Sequence, residues 1–225
     1  MREYYQKQLE GLHNELIRMG ALCEEAVAGA VMGLLEEDGK LRQKVINMEK
    51  EIDLKEREIE SICVRLLLRE QPVAGDLRQI TAAQRIVSDM ERIGDQAADI
   101  ARLAEVMYGE GSYSAGEIEK TVKSGVYISD MSLAITKMLS ASVDSFVHGD
   151  LQKAREVIKM DDAVDNFFVK VKHGLIKIIK KDSKTAGACL DILMIAKYLE
   201  RSGDHAVNIA KWVAYSITGE RGAPV

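Results

Sequence analysis

The feature that most constrains this chain is that it repeats itself. Val45-Ile-Asn-Met-Glu49-Lys-Glu-Ile-Asp53 matches Val157-Ile-Lys-Met-Asp161-Asp-Ala-Val-Asp165 at an offset of 112 residues. Glu91-Arg-Ile-Gly-Asp95-Gln-Ala-Ala-Asp99-Ile-Ala101 matches Glu200-Arg-Ser-Gly-Asp204-His-Ala-Val-Asn208-Ile-Ala210 at an offset of 109. Two matches in the same order mean one supersecondary unit used twice, with three residues lost between the matched segments of the second copy. The Gly/Ser-rich stretch Gly109-Glu-Gly-Ser-Tyr-Ser-Ala-Gly116 is the natural joint, dividing the chain into units 1–110 and 111–225.

Within each unit the spacing is helical. With only 2 prolines in 225 residues and an abundance of Ala, Leu, Glu, Lys and Met, nothing breaks long helices except a few turn signals. Breaks at Glu37-Asp38-Gly39 and Gln71-Pro72-Val-Ala-Gly75 predict helices over 5–36, 39–69 and 75–108. Breaks at His148-Gly149 and Asp182-Ser183 predict three more over 117–147, 150–181 and 185–217. In the third helix Ile80, Ala83, Val87, Met90, Gly94, Ala97, Ala101 and Ala104 recur at threes and fours. The sixth repeats the pattern at Cys189, Ile192, Ala196, Leu199, Gly203, Ala206, Ala210 and Val213. Such seams, rich in small residues, bring neighbouring helices close and nearly parallel. The expected fold is all-α: two tandem antiparallel three-helix bundles of six long helices.

Charge and cysteine usage narrow the function. Acids and bases are mixed along the chain to a net charge of -5, with no basic block to release counterions from nucleic acid. The N-terminal residues lack an apolar signal region, and no segment nears the ~18 uncharged residues needed to span a bilayer. Cys23, Cys63 and Cys189 are odd in number and set among apolar residues, so they read as buried thiols in a reducing compartment. The expectation is a cytoplasmic protein with no nucleic-acid partner and no membrane insertion.

The matched segments also carry acids at i,i+4 spacing, which places both carboxylates of a pair on one helix face. The pairs are Glu49 with Asp53 and Glu91 with Asp95, then Asp161 with Asp165 and Glu200 with Asp204. The chain has 6 such pairs, about the number that random placement gives, so frequency proves nothing. Four of the six, however, occupy equivalent places in the two repeats and flank the apolar seam. A like-charged pair costs a helix roughly 0.2–0.5 kcal/mol, and more in a low-dielectric groove, so a bound cation would relieve it. An all-oxygen donor set suits hard or borderline ions such as iron, manganese, magnesium or calcium, and no Cys pair supports a thiolate zinc site. Asp89, Asp99 and Asn208 are weaker candidate ligands.

Other motifs carry less. A di-metal oxidase needs two Glu-x-x-His elements, and only Glu10-Gly-Leu-His13 fits. His205 follows Asp204 but reads as a surface or helix-end histidine. Gly94 and Gly203 sit alone in helical patterns, as packing positions and not phosphate loops. With no nucleophile and base in a recognisable arrangement, the chain is not expected to be an enzyme.

Taken together, Gln71-Pro-Val-Ala-Gly-Asp-Leu-Arg78, Asp89-Met-Glu-Arg-Ile-Gly-Asp95 and Tyr198-Leu-Glu-Arg-Ser-Gly-Asp-His-Ala-Val-Asn-Ile-Ala210 resemble the PhoU family of phosphate-uptake regulators over nearly the whole chain. That resemblance implies a pair of three-helix bundles. It also implies multinuclear iron or zinc clusters on the eight carboxylates Glu49, Asp53, Glu91, Asp95, Asp161, Asp165, Glu200 and Asp204. Departures from the family pattern are Asp161 for the commoner Glu, Ser202 where the first copy has Ile93, and Gly75 where Ser is usual. None removes a ligand. The implied role is a negative regulator of the phosphate-starvation response, a homodimer linking the ATPase of the phosphate ABC transporter to the sensor histidine kinase. A metal-storage or structural bundle and a metal-dependent enzyme are the alternatives.

Overall fold

The computed structural model describes residues 2–70, 72, 74–109, 112–124 and 126–220. Seven α-helices and no strand occur among them: α1 Arg2–Leu35, α2 Gly39–Glu70, α3 Gly75–Met107, α4 Ala115–Ser124, α5 Val126–His148, α6 Leu151–Lys181 and α7 Ala186–Thr218, with a single 3₁₀ turn at Ser183–Thr185. The all-α expectation holds. The expected helix over 117–147 is described as α4 and α5 on either side of position 125, which lies outside the described residues. Gln71 and Val73 of the 71–78 motif and Glu110 and Gly111 of the joint lie outside the described residues.

Local chemistry explains the helix ends. Asp38 accepts from the Lys40 and Leu41 amides at 2.9 and 3.1 Å, and Asp150 from Lys153 at 2.9 Å, so α2 and α6 open on acidic caps. Ser114 and Glu117 form a reciprocal box at the start of α4, the Ser114 amide donating to Glu117 at 2.8 Å and the Glu117 amide to Ser114 Oγ at 3.3 Å. Gly219 closes α7 in the left-handed conformation, at φ 77°. The three residues lost from the second repeat come from helix ends. Four residues separate α2 from α3 and four separate α6 from α7, but α6 ends one residue sooner after Asp165 and α7 starts two residues nearer Glu200.

Every residue of the two seams is buried. Each also has a companion stripe with a period of seven: Ile86, Ile93, Ile100 and Met107 on α3, and Ile195, Ser202, Ile209 and Ser216 on α7 are all buried. Two buried stripes on each helix match its packing both within its own bundle and against the other repeat. α3 packs on α1, α2 and α7, and α7 on α3, α5 and α6, while α1 lies against α5. Arg78 sits by Gly219, Arg85 by Trp212 and Asp89 by His205, so α3 and α7 run antiparallel. The buried apolar side chains of both repeats form one continuous core.

Gly94 sets how closely α2 and α3 approach. A Cβ there would stand 2.8 Å from Ile52 Cδ1 and 3.0 Å from its Cγ2. Overpacking a close-packed core costs about 1–3 kcal/mol, whereas Ala for a helical Gly recovers roughly 1 kcal/mol. Gly94→Ala is expected to lower the urea midpoint by the equivalent of about 1 kcal/mol. A midpoint at or above the wild-type value would show that the two helices have room to part.

Candidate metal centre

The close approach of α2 and α3 brings three carboxylates to one place. Asp53 on α2 and Glu91 and Asp95 on α3 each offer an oxygen, and the three lie within 4.8 Å of one another. Glu91 and Asp95 are only 16% and 27% exposed. Burial, then the charge of Asp95, pushes the Glu91 carboxyl up to about 7, against an opposing Arg92. Asp95 is raised as well, by burial and by Glu49 and Asp53, with Arg92 pulling the other way. The Arg92 guanidinium stands 3.1 Å from Asp95 and 3.4 Å from Glu91, yet it does not offset the crowding.

Glu49, the fourth expected ligand, is not in this triad. It is hydrogen-bonded to Arg102, whose other arm reaches Asp99 at 3.1 Å. Glu56 stands closer to the cluster electrostatically than sequence spacing suggested: its own carboxyl is raised by burial and by Glu60, Asp53 and Asp95, and it raises Glu91 in turn. It has a carboxylate neighbour at i+4, Glu60, but Phe168 occupies the equivalent place in the second repeat, so the repeat carries no signal for it.

The second repeat builds a looser version between α6 and α7. Burial, then Asp165, Asp204 and Glu200 in turn, pushes Asp161 up to about 6, so all four expected side chains share one field. Asp204 is raised by burial and by Glu200. Asp165 and Asp204 are exposed, and Glu200 is bonded to Lys197. Among the described residues only the first cluster brings three donors within 4.8 Å. Gly203 mirrors Gly94, but a Cβ there would stand 3.0 Å from Asp161 Oδ1, so this glycine makes room for a carboxylate itself.

The residues suit a hard cation. All donors are oxygen, three converge, and the adjacent cations leave Glu91 far above the ordinary carboxylate range. Of the weaker candidates, Asn208 lines a pocket with Asp161 and Asp204, and the other two fall elsewhere. Asp99 is held by Arg102, and Asp89 lies on the seam between the repeats, 2.8 Å from His205 Nδ1. His205 is therefore no helix-end histidine: it is half-buried in mid-α7 and joins the two repeats. His13 packs edge-on against Phe146, ring centroids 5.6 Å apart, and burial lowers its pKa. All three cysteines are buried and free, Cys23 donating to the Met90 carbonyl at 3.3 Å.

A family model described as the PhoU domain matches residues 16–104 and again 128–213, the two repeats. The chain is 34% identical over 221 residues, 98% of its length and 97% of the relative's, to a phosphate-specific transport system accessory protein PhoU homolog of Clostridium acetobutylicum. It is 35% identical over 195 residues, 87% of this chain and 84% of the relative, to the protein of that name from Aquifex aeolicus. The crystal structure of PhoU from Pseudomonas aeruginosa superposes with a TM-score of 0.85 at 34% identity, over 96% of this chain and all of that one.

Proposed function

This chain belongs to the PhoU domain family, and from that footing we propose that it is a regulatory accessory protein of phosphate uptake that holds the phosphate-starvation response silent when phosphate is plentiful. The observation that carries this reading is similarity along nearly the whole length, 98% of the chain, to proteins named as accessories of the phosphate-specific transport system. Such a protein acts by contact: no described helix is long and apolar enough to cross a membrane, and the acidic chain has no basic face for DNA. Its partners in this reading are the cytoplasmic ATPase of the phosphate ABC transporter and the membrane histidine kinase. It is not an enzyme. A homodimer is favoured by large apolar side chains left on helix surfaces, among them Leu54, Leu68 and Val106.

The carboxylate clusters take metal in this reading, iron or zinc in multinuclear form, with manganese, magnesium or calcium as further hard cations the donors suit. Asp53, Glu91 and Asp95 would hold the first cluster, joined by Glu49 once Arg102 releases it. Asp161, Asp165, Glu200 and Asp204 would hold the second.

Deleting the chain from its host is expected to leave a phosphate-starvation reporter switched on in high phosphate. A reporter that stays repressed in the deletion strain overturns the regulatory reading. Retention of the transporter ATPase on the immobilised chain checks the contact separately.

A further inference from the structure

Where α3 and α7 cross the boundary between the repeats they border an open cavity of about 410 Å³ that lies beside the carboxylate clusters. Arg85, Ser88 and Arg92 face it from α3, at the three-and-four spacing of one helix face, and Asn208 and Trp212 face it from α7. Its one lining carboxylate, Asp89, is already engaged by His205 at 2.8 Å. Arg85, Ser88, Arg92 and Asn208 can each donate hydrogen bonds into it. Arg85 lies over the Trp212 ring, 5.9 Å from its centroid, and among the described residues makes no hydrogen bond or ion pair; the Ser88 hydroxyl and Asn208 amide make none either. Arg92 meets Glu91 and Asp95 through Nε and Nη1 only, so its Nη2 takes part in neither contact.

From this arrangement we infer that the cavity binds a phosphoryl oxyanion, either inorganic phosphate or the phosphoryl end of a nucleotide. Two guanidiniums, a hydroxyl and a carboxamide offer charge and N–H or O–H donors to a ligand that is negative and accepts hydrogen bonds. A guanidinium stacked on an aromatic face is held in orientation while its edge donors stay free, the geometry a tetrahedral oxyanion accepts in pairs. A cationic ligand would meet like charge, and an apolar one would leave the Arg85, Ser88 and Asn208 donors unpaired. Arg92 also meets Glu91 and Asp95 of the first cluster, and Asn208 lines a neighbouring pocket with Asp161 and Asp204 of the second, so the cavity is read with metal removed.

The test is calorimetric titration of the full chain in EDTA with sodium phosphate and, separately, ADP, alongside the emission of Trp212, the only tryptophan in the sequence. One-site saturation by at least one probe, with a Trp212 shift tracking the same curve, is expected. Affinity should fall about tenfold or more in Arg85→Gln, which removes a charge-assisted donor, and in Ser88→Asp, which adds a carboxylate to the cavity. Lys172→Gln, which removes one positive charge from the exposed face of α6, should leave it unchanged. ADP binding over tenfold tighter than phosphate assigns the site to a nucleotide, and the reverse order to the free ion. Absence of saturation by both probes up to about 10 mM overturns the inference. So does equal weakening in Lys172→Gln and Arg85→Gln, or wild-type affinity in both cavity variants. If a variant fails to fold, the wild-type Trp212 titration decides alone, since a flat signal throughout the calorimetric transition would place the ligand elsewhere.

Discussion

Replacing Glu91 and Asp95 together with Ala is expected to cut the metal carried by the purified protein by roughly half, because each repeat builds its own cluster and the substitutions leave the second untouched. The matching Glu200/Asp204 double variant should remove the complementary share. Metal that binds the folded state raises its stability by mass action, so the metal-dependent rise in melting temperature should shrink along with content. Without metal the Glu91/Asp95 variant should be as stable as the wild type or more so. It loses a carboxyl held near 7 and its close neighbour, while Arg92 on the helix surface loses only exposed contacts. Elemental analysis and melting curves of the three proteins decide the matter. Full metal content in both variants would reduce these carboxylates to a solvated helix flank. An uneven split is informative too, because the triad of Asp53, Glu91 and Asp95 is converged and the second cluster is not.

The metal-free protein should be more stable at pH 5 than at pH 8, the reverse of the common pattern for carboxylates in ion pairs. Glu91 at about 7 and Asp161 at about 6 hold their protons in the folded state over a range where the unfolded chain has already released them. The folded state then binds more protons, so stability falls as pH rises from the ordinary carboxylate range through those values, and levels off above about 7. A carboxyl raised this far loses on the order of 1–3 kcal/mol on full ionisation, so the two clusters together should lower stability by about 2–4 kcal/mol. Urea unfolding in EDTA at the two pH values measures it. Saturating metal should abolish or invert the trend, since a bound cation favours the ionised form. Equal or greater stability at pH 8 without metal would mean that water and the neighbouring Arg92 already solvate the clusters.

The sequence by itself determined the architecture. A repeat in the order of motifs, helical spacing and the positions of breakers fix which residues form helices and which face of each is apolar, because those properties are local and periodic. They located both small-residue seams and all eight acids, and they assigned Gly94 to packing. The second stripe, at Ile86, Ile93 and Ile100 and again at Ile195 and Ile209, was also present as a period of seven. It went unread because Ser202 and Ser216 interrupt it on α7, and because a bundle taken alone needs one seam.

What only the tertiary structure decided is which groups meet across helices. That Arg102 takes Glu49, that Lys197 takes Glu200 and that His205 finds Asp89 are contacts set by helix register and side-chain rotamer. The two repeats carry acids at the same four places, yet three of one set converge and the other set spreads. The same holds for the cavity between the repeats, whose α3 and α7 donors stand more than 100 residues apart in the chain. Periodicity tells a residue which way to face; only packing tells it what it faces.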